Sequence, residues 1–140
     1  MRTNYGDLPI ALDPQTGRAT VAHGPALPAG GATPAGRYRS KLEAAYAAEL
    51  AAQQQAGVVR GWRYEALTVR LLSGIRYTPD FVVWRPDGSL ELHEVKGWWR
   101  EDAKLKFREA AAQWPMFRWV VVSRPKGGAW QLALALCASP

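Results

Sequence analysis

Two short apolar runs joined by one turn signal constrain this chain more than any other feature. Phe81-Val82-Val83-Trp84 is a continuous apolar run, Arg85-Pro86-Asp87-Gly88 carries the turn residues, and Ser89-Leu90-Glu91-Leu92-His93 alternates. That pattern predicts a β-hairpin. Pro86, Asp87 and Gly88 suit a three-residue loop, a type I turn closed by a glycine in the left-handed region. Such a loop pairs Arg85 with Ser89, so partners along the ladder have numbers with a constant sum. Asp80 then faces Glu94 directly. Cβ atoms of facing partners lie about 4.5–5.5 Å apart, and like charges placed so repel. A divalent cation held by both carboxylates would offset the repulsion. Lys96 is two residues past Glu94, so period-two alternation puts its ammonium on the same face. Two carboxylates and a lysine meeting at the end of a hairpin are the parts of a metal-dependent phosphodiesterase site.

Each of these residues also has a plainer reading. Pro79-Asp80 is a common strand entry, and Lys96 could serve only as a salt-bridge partner of Glu94. Glu94 resists dismissal more, because it shares a strand face with Leu90 and Leu92, opposite Trp84 and Val82. A carboxylate ending an apolar face is costly without a cation or strong hydrogen bonds. Glu91 and His93 point to the other face and are left out of the site. Glu43 is the third residue of a first helix whose opening, Ser40-Lys41-Leu42-Glu43, fits a capping box. Glu65, in a strand before the motif, is a further candidate for the site or an exposed strand carboxylate.

Pro79-Asp80 and Glu94-Val95-Lys96 together resemble the PD-(D/E)xK nuclease signature. Tyr77-Thr78-Pro79-Asp80-Phe81 followed by Glu94-Val95-Lys96-Gly97 is similar to the phage recombination endonuclease branch. That branch includes the endonuclease I-type Holliday-junction resolvases. The resemblance runs from about Arg39 to Val122. It implies a restriction-endonuclease-like core and a Mg²⁺-dependent endodeoxyribonuclease, with Mn²⁺ able to substitute. Asp80, Glu94 and the Val95 carbonyl would ligate the metal, and Glu43 matches the early-helix glutamate that joins the metal shell. Lys96 would orient the attacking water. The resemblance further implies 5′-phosphate and 3′-hydroxyl products and, with the basic surface, branched DNA as substrate. Two equivalent junction strands then suggest a homodimer, and the lack of a leader pattern suggests the cytoplasm of a bacterial or phage-infected cell. Capping and metal binding remain alternative roles for Glu43.

Composition sets wider limits. A chain of 140 residues, 48% hydrophobic and with seven tryptophans, suits one globular domain with a modest core. Its apolar runs are too short for a membrane span, and its N-terminus lacks a basic-then-apolar leader pattern. One cysteine, Cys137, and two histidines, His23 and His93, exclude an internal disulfide and a cysteine zinc site. They leave little material for a histidine metal cage or a Ser-His-Asp triad. Net charge is +6. Arg2 and Arg18 balance Asp7 and Asp13 before Arg37, so the whole excess lies from Arg37 onward. A basic domain suits a polyanion such as DNA. Arg37, Arg39 and Lys41 cluster at the entry to the first helix. Arg100, Lys104 and Arg108 recur every four residues along the second, a line suited to phosphates or a solvated helix face. Lys106 follows Asp102 by four residues, so it either contacts DNA or pairs with that acid. Trp98 and Trp99 could stack on a splayed base or divide between core and rim.

Residues 1–36 are rich in Gly, Pro, Ala and Thr. They read as a flexible N-terminal segment, a dimer contact or disorder, with a small hairpin from Ile10 to Val21 around Asp13–Gly17. Residues 37–140 read as the nuclease domain. A helix is expected from Ser40 to Ala56, stopped by Gly57, then strands between Val58 and Leu72, ended by Gly74. After the hairpin come a helix from Arg100 to Trp114, a buried strand from Trp119 to Ser123, a turn over Pro125–Gly128, and a last strand from Trp130 to Leu136. This order predicts an α/β or α+β sandwich with a mixed central sheet flanked by helices. Three other functions fit the same residues. They are a non-catalytic DNA-binding module, a restriction-type duplex nuclease, and an assembly protein whose Asp80/Glu94/Lys96 cluster is an ion-pair network. No helix-turn-helix or zinc finger supports sequence-specific readout.

Overall fold

The computed structural model describes residues 3–4, 10–21 and 38–136. His23, Arg37 and Cys137 lie outside them. The described elements are β1 (Thr3–Asn4), β2 (Ile10–Leu12), β3 (Ala19–Val21), α1 (Lys41–Gln55), β4 (Gly61–Tyr64), β5 (Thr68–Arg70), β6 (Arg76–Tyr77) and β7 (Phe81–Trp84). They continue with β8 (Leu90–Val95), α2 (Glu101–Gln113), β9 (Arg118–Ser123) and β10 (Gln131–Leu136). Five strands form a mixed sheet in the order β10-β9-β8-β7-β4, with β8 and β9 parallel and the other neighbours antiparallel. The chain is thus a mixed α+β domain with a helix on each sheet face.

The central hairpin has the register its turn chemistry dictates. Phe81 faces His93 and Trp84 faces Leu90. The Arg85 N–H donates to the Ser89 carbonyl at 2.9 Å, and Gly88 closes the loop at φ +89°. Period-two alternation then divides the core. Val82, Trp84, Leu90, Leu92, Trp119 and Val121 meet Phe107, Ala110 and Trp114 of α2 on one face. Phe81, Val83, Val95, Val120 and Val122 meet Tyr46, Ala47 and Leu50 of α1 on the other. Phe107 is fully buried, and truncation of such a phenylalanine to alanine typically costs about 3–5 kcal/mol. At the sheet edge Gly61 faces Trp84, whose indole fills the space that any Cβ at that position would occupy. A larger residue at 61 would displace a core tryptophan.

Both helices start and stop where their sequences signal it. The Glu43 N–H donates to Ser40 Oγ at 3.0 Å to open α1, and Gly57 at φ +78° follows its end. The buried stripe of α1 is Glu43, Tyr46, Ala47 and Leu50. That stripe brings the Glu43 carboxylate inward. In the N-terminal segment, β2 and β3 form the expected hairpin, with Gly17 at φ +72°. This hairpin is packed on the domain. Ala19 and Val21 are buried in the α2-side core, and their N–H groups donate to the Met116 and Gly88 carbonyls. One element lacks a sequence counterpart. After β5 the chain reverses through Leu71–Ile75 and returns as β6, a short hairpin that with β1 makes a separate three-stranded sheet.

Candidate active site

The carboxyl end of β8, the entry to β7, the start of α1, the end of β4, the strand β6 and the first turns of α2 surround one cleft of about 620 Å³. It is lined by Arg39, Glu43, Glu65, Arg76, Tyr77, Thr78, Asp80, Glu94, Val95, Lys96, Ala103 and Lys106. All four residues expected to do chemistry are among them.

Asp80 and Glu94 sit at the floor, one residue beyond the last ladder pair of the hairpin, Phe81 with His93. Each is almost wholly buried, at 8% and 4% exposure. Asp80 Oδ2 accepts the Val95 N–H at 2.8 Å. Glu94 Oε2 lies 3.3 Å from Lys96 Nζ and also accepts a hydrogen bond from Tyr77. Burial, and then the neighbouring Glu94 charge, push the Asp80 carboxyl up to about 7. Burial pushes Glu94 up as well, against the pull of Lys96 and Tyr77. Two desolvated carboxylates whose charges oppose each other are poised to take a proton or a cation. Burial and the charge of Glu94 in turn hold the Tyr77 hydroxyl protonated, so it donates to the Glu94 carboxylate.

Glu43 enters the cleft from α1, and its charge adds to the upward push on Asp80. Its carboxylate is already bonded: Ser40 Oγ donates to Oε1 at 3.1 Å and Tyr64 Oη to Oε2 at 2.7 Å. Glu65, expected as an exposed strand acid, lies instead just past β4 with φ +50°. Its N–H donates to the Asp80 carbonyl at 2.8 Å, and its side chain pairs with Arg39 at 2.6 Å. A non-glycine residue in the left-handed region is uncommon and often marks a functional site.

Two hard oxygen donors side by side fit Mg²⁺, which is usually held by one or two carboxylates, its own waters and substrate phosphate. The fit is to that open form of binding. Among the described residues, no group of three or more His, Cys, Asp or Glu side chains gathers to hold a metal ion.

The basic residues divide. Arg39 and Lys106 line the cleft, and Lys106 Nζ lies 5.9 Å above the Tyr77 ring, so it does not pair with Asp102. Asp102 pairs instead with Arg100, and Lys104 with Glu101. The Arg100/Lys104/Arg108 line is therefore outside the cleft lining; the phase of α2 turns Ala103 and Lys106 inward. Lys41 is exposed on α1. Trp98 is 80% exposed, while Trp99 packs edge-on against Phe107. Sequence reasoning missed Arg76, Thr78 and the Tyr77 hydroxyl as cleft groups. The signal for the first two was present, since 76, 78 and 80 alternate on one face of an extended chain.

Fold and site together describe a mixed α+β domain with a buried acidic pair and a lysine at the base of a charged cleft. The chain belongs to a family described as proteins of unknown function (DUF1064), whose model matches residues 34–126. That span contains every cleft residue. No curated protein and no solved structure matches the chain.

Proposed function

We propose that this protein is a divalent-metal-dependent DNA endonuclease with a restriction-endonuclease-like core of the PD-(D/E)xK type. One observation carries the reading: Asp80 and Glu94 are buried side by side with raised proton affinity, and Lys96 is 3.3 Å from the second carboxylate. Neither a purely structural ion pair nor an inert strand end accounts for two acids that a single lysine leaves under-compensated.

In this reading Asp80 and Glu94, with the Val95 carbonyl, hold Mg²⁺ or Mn²⁺, and Glu43 completes the acidic wall. The bound ion supplies charge neutralisation at the phosphate and a nucleophile at neutral pH. The protein's own groups do the rest. Val95 N–H and Tyr77 Oη each fix one carboxylate, so their orientation is set before substrate arrives. Lys96 donates toward the reacting phosphate and stabilises charge that grows in the transition state. Arg39, Arg76 and Lys106 hold the strand by its phosphates. The favoured substrate is branched DNA. A four-way junction offers two equivalent strands, one domain offers one site, and a two-fold homodimer is the simplest way to cut both.

The test is incubation with supercoiled, linear, single-stranded and four-way-junction DNA, with and without Mg²⁺ or Mn²⁺. Cleavage that requires the ion, strongest on the junction, is expected. Lys96→Ala should lower turnover by orders of magnitude with DNA affinity nearly unchanged. Absence of cleavage on every substrate with either ion would overturn the nuclease reading. A monomer by light scattering, cutting junction and linear DNA equally, would overturn only the junction-resolving part.

A further inference from the structure

The hairpin β5–β6 carries an unneutralised positive pair at the mouth of the cleft. Arg70 and Arg76 are direct cross-strand partners, and both are exposed. One pair further along the same face, Thr68 Oγ1 and Thr78 Oγ1 are 2.7 Å apart. The alternate residues point the other way: Val69 is fully buried, and Tyr77 leans on Trp119 and reaches Glu94. The outer face of the hairpin is therefore two hydroxyls followed by two guanidiniums. Like charges directly opposed across a ladder destabilise it, and among the described residues neither arginine has an acidic partner. The basic line on α2 differs, because Arg100 and Lys104 are each paired with an acid.

The hairpin is also held rigidly. Trp114 Nε1 donates to the Arg70 carbonyl at 3.2 Å, and Leu72 N–H donates to Gln113 Oε1 at 2.7 Å, fastening both to the end of α2. The turn itself closes with Leu71 N–H on the Ile75 carbonyl at 2.8 Å. At its inner end the polar face merges with the cleft, because Thr78 and Arg76 are lining residues and Asp80 is next in the alternation.

We infer that the outer face of this hairpin is a phosphate track that carries one nucleic-acid strand out of the cleft, through Thr78 and Arg76 to Arg70. Hydroxyls and guanidiniums on a rigid element are the groups that grip a sugar–phosphate backbone without reading bases. A polyanionic strand also neutralises the opposed arginines, which no group on the described surface does. The inference rests on the nuclease reading of the cleft and adds to it. The substrate must be a polynucleotide that extends beyond the reacting phosphate on the β6 side, not a short oligonucleotide confined to the cleft.

The experiment measures affinity by fluorescence anisotropy, in chelator and over a salt series, for a long duplex and for a tetranucleotide. Arg70→Ala should bind the long duplex about three- to tenfold more weakly, with the slope of log affinity against log salt reduced by about one. Tetranucleotide binding should not change. Arg70→Gln, which keeps the side-chain length, should behave like Arg70→Ala, and Arg70→Lys should restore most of the slope. Thermal melting of both neutral variants should match or exceed wild type, because a repulsion has been removed. Wild-type slope and affinity in Arg70→Ala, or equal loss on both ligands, would overturn the track. Wild-type protein that fails to bind the duplex would also overturn it. Cleavage is scored separately on wild type. Binding that depends on Arg70 without any cleavage would sink the nuclease reading and keep the track. Cleavage with Arg70-independent binding would do the reverse.

Discussion

Two glutamates of β8, three residues apart, have opposite fates because they project from opposite faces of one sheet. Glu91 points toward α1 and is surrounded by donors: Arg118 at 2.7 Å, Arg85 at 3.1 Å and His93 Nε2 at 2.8 Å. Burial alone would raise its carboxyl, but His93 and the two arginines outweigh burial and hold it at about 2. His93 is itself fully buried, and desolvation keeps it neutral. Its remaining nitrogen, Nδ1, then accepts from Tyr46 Oη at 2.7 Å, so every polar atom of the chain Tyr46–His93–Glu91 is satisfied. Glu94 points toward α2 beside Asp80, with one lysine between two acids, and its carboxyl is pushed up. One face holds a charge the protein has finished compensating. The other holds acids that burial and mutual charge push toward the protonated form, the charge that the nuclease reading assigns to a metal ion.

The largest effect expected is on the unfinished side. Asp80→Asn and Glu94→Gln should each abolish metal-dependent cleavage, a loss of several kcal/mol in transition-state stabilisation. Metal-free stability should be unchanged or higher, because a buried repulsion disappears. Calorimetric titration with Mg²⁺, followed by cleavage and melting assays, checks both halves. Near-normal turnover in either variant would place the site elsewhere.

The finished side should answer in the opposite currency. Glu91→Gln should reduce stability by about 2 kcal/mol, measured by chemical denaturation, with turnover per folded molecule preserved. This is below the roughly 3–5 kcal/mol seen when a fully buried partner is stranded, because Arg85 and Arg118 are each about a third exposed and can turn to water. If Glu91→Gln lost activity without losing stability, the contrast between the two faces would collapse.

Acid titration sharpens the same comparison. Without divalent ions the folded state binds the Asp80 proton up to about pH 7, whereas the unfolded carboxyl releases it near pH 4. Across that window the folded state holds more protons, so this group's contribution to stability falls as pH rises, by on the order of 4 kcal/mol. Glu91 has the reverse sign. Its folded value of about 2 lies below its unfolded one, so its contribution is lost only as pH falls from about 4 toward 2. His93, held neutral when folded, also favours stability as pH rises toward its unfolded value of about 6.5. The difference between wild type and Asp80→Asn removes the Glu91 and His93 contributions and reports Asp80 together with its interaction with Glu94. That difference should vary between pH 4 and 7 in chelator, and a flat difference would refute the raised Asp80.

These two faces were not equally legible in the sequence. The Asp80–Glu94 juxtaposition follows from a three-residue loop, because turn chemistry fixes register and register fixes which side chains meet. Helix boundaries were legible from Ser40, Gly57 and Trp114-Pro115 for the same local reason. The Glu91 clamp was not legible. Arg118 reaches Glu91 through the parallel pairing of β8 with β9, and that register depends on how α2 spans the connection, which no local pattern encodes. The β5–β6 hairpin escaped notice because its second strand is two residues long, too short for alternation to register against Leu71-Leu72-Ser73-Gly74-Ile75. The inward face of α2 follows its apolar spacing, with Phe107 and Ala110 buried. The Arg100, Lys104 and Arg108 line runs along the helix outside the cleft lining, while Lys106 is part of that lining.

Glu43 stands between the two cases, and the smallest effect is expected there. Like Glu91 it is buried and bonded, with Ser40 Oγ and Tyr64 Oη each serving one oxygen. Like Glu94 it borders the cleft and raises the proton affinity of Asp80. Its two donors are neutral hydroxyls, which orient a carboxylate without neutralising it. The nuclease reading therefore places Glu43 with the unfinished side. Glu43→Gln keeps the shape and a capping-competent side chain, so stability should change by less than about 1 kcal/mol. Cleavage should fall about tenfold, roughly 1.4 kcal/mol, and the Mg²⁺ concentration giving half-maximal rate should rise. A helix cap alone predicts neither kinetic change. If Glu43→Gln cuts at the wild-type rate with wild-type Mg²⁺ dependence, the residue is structural, and the line between finished and unfinished charge must be drawn around Asp80 and Glu94 alone.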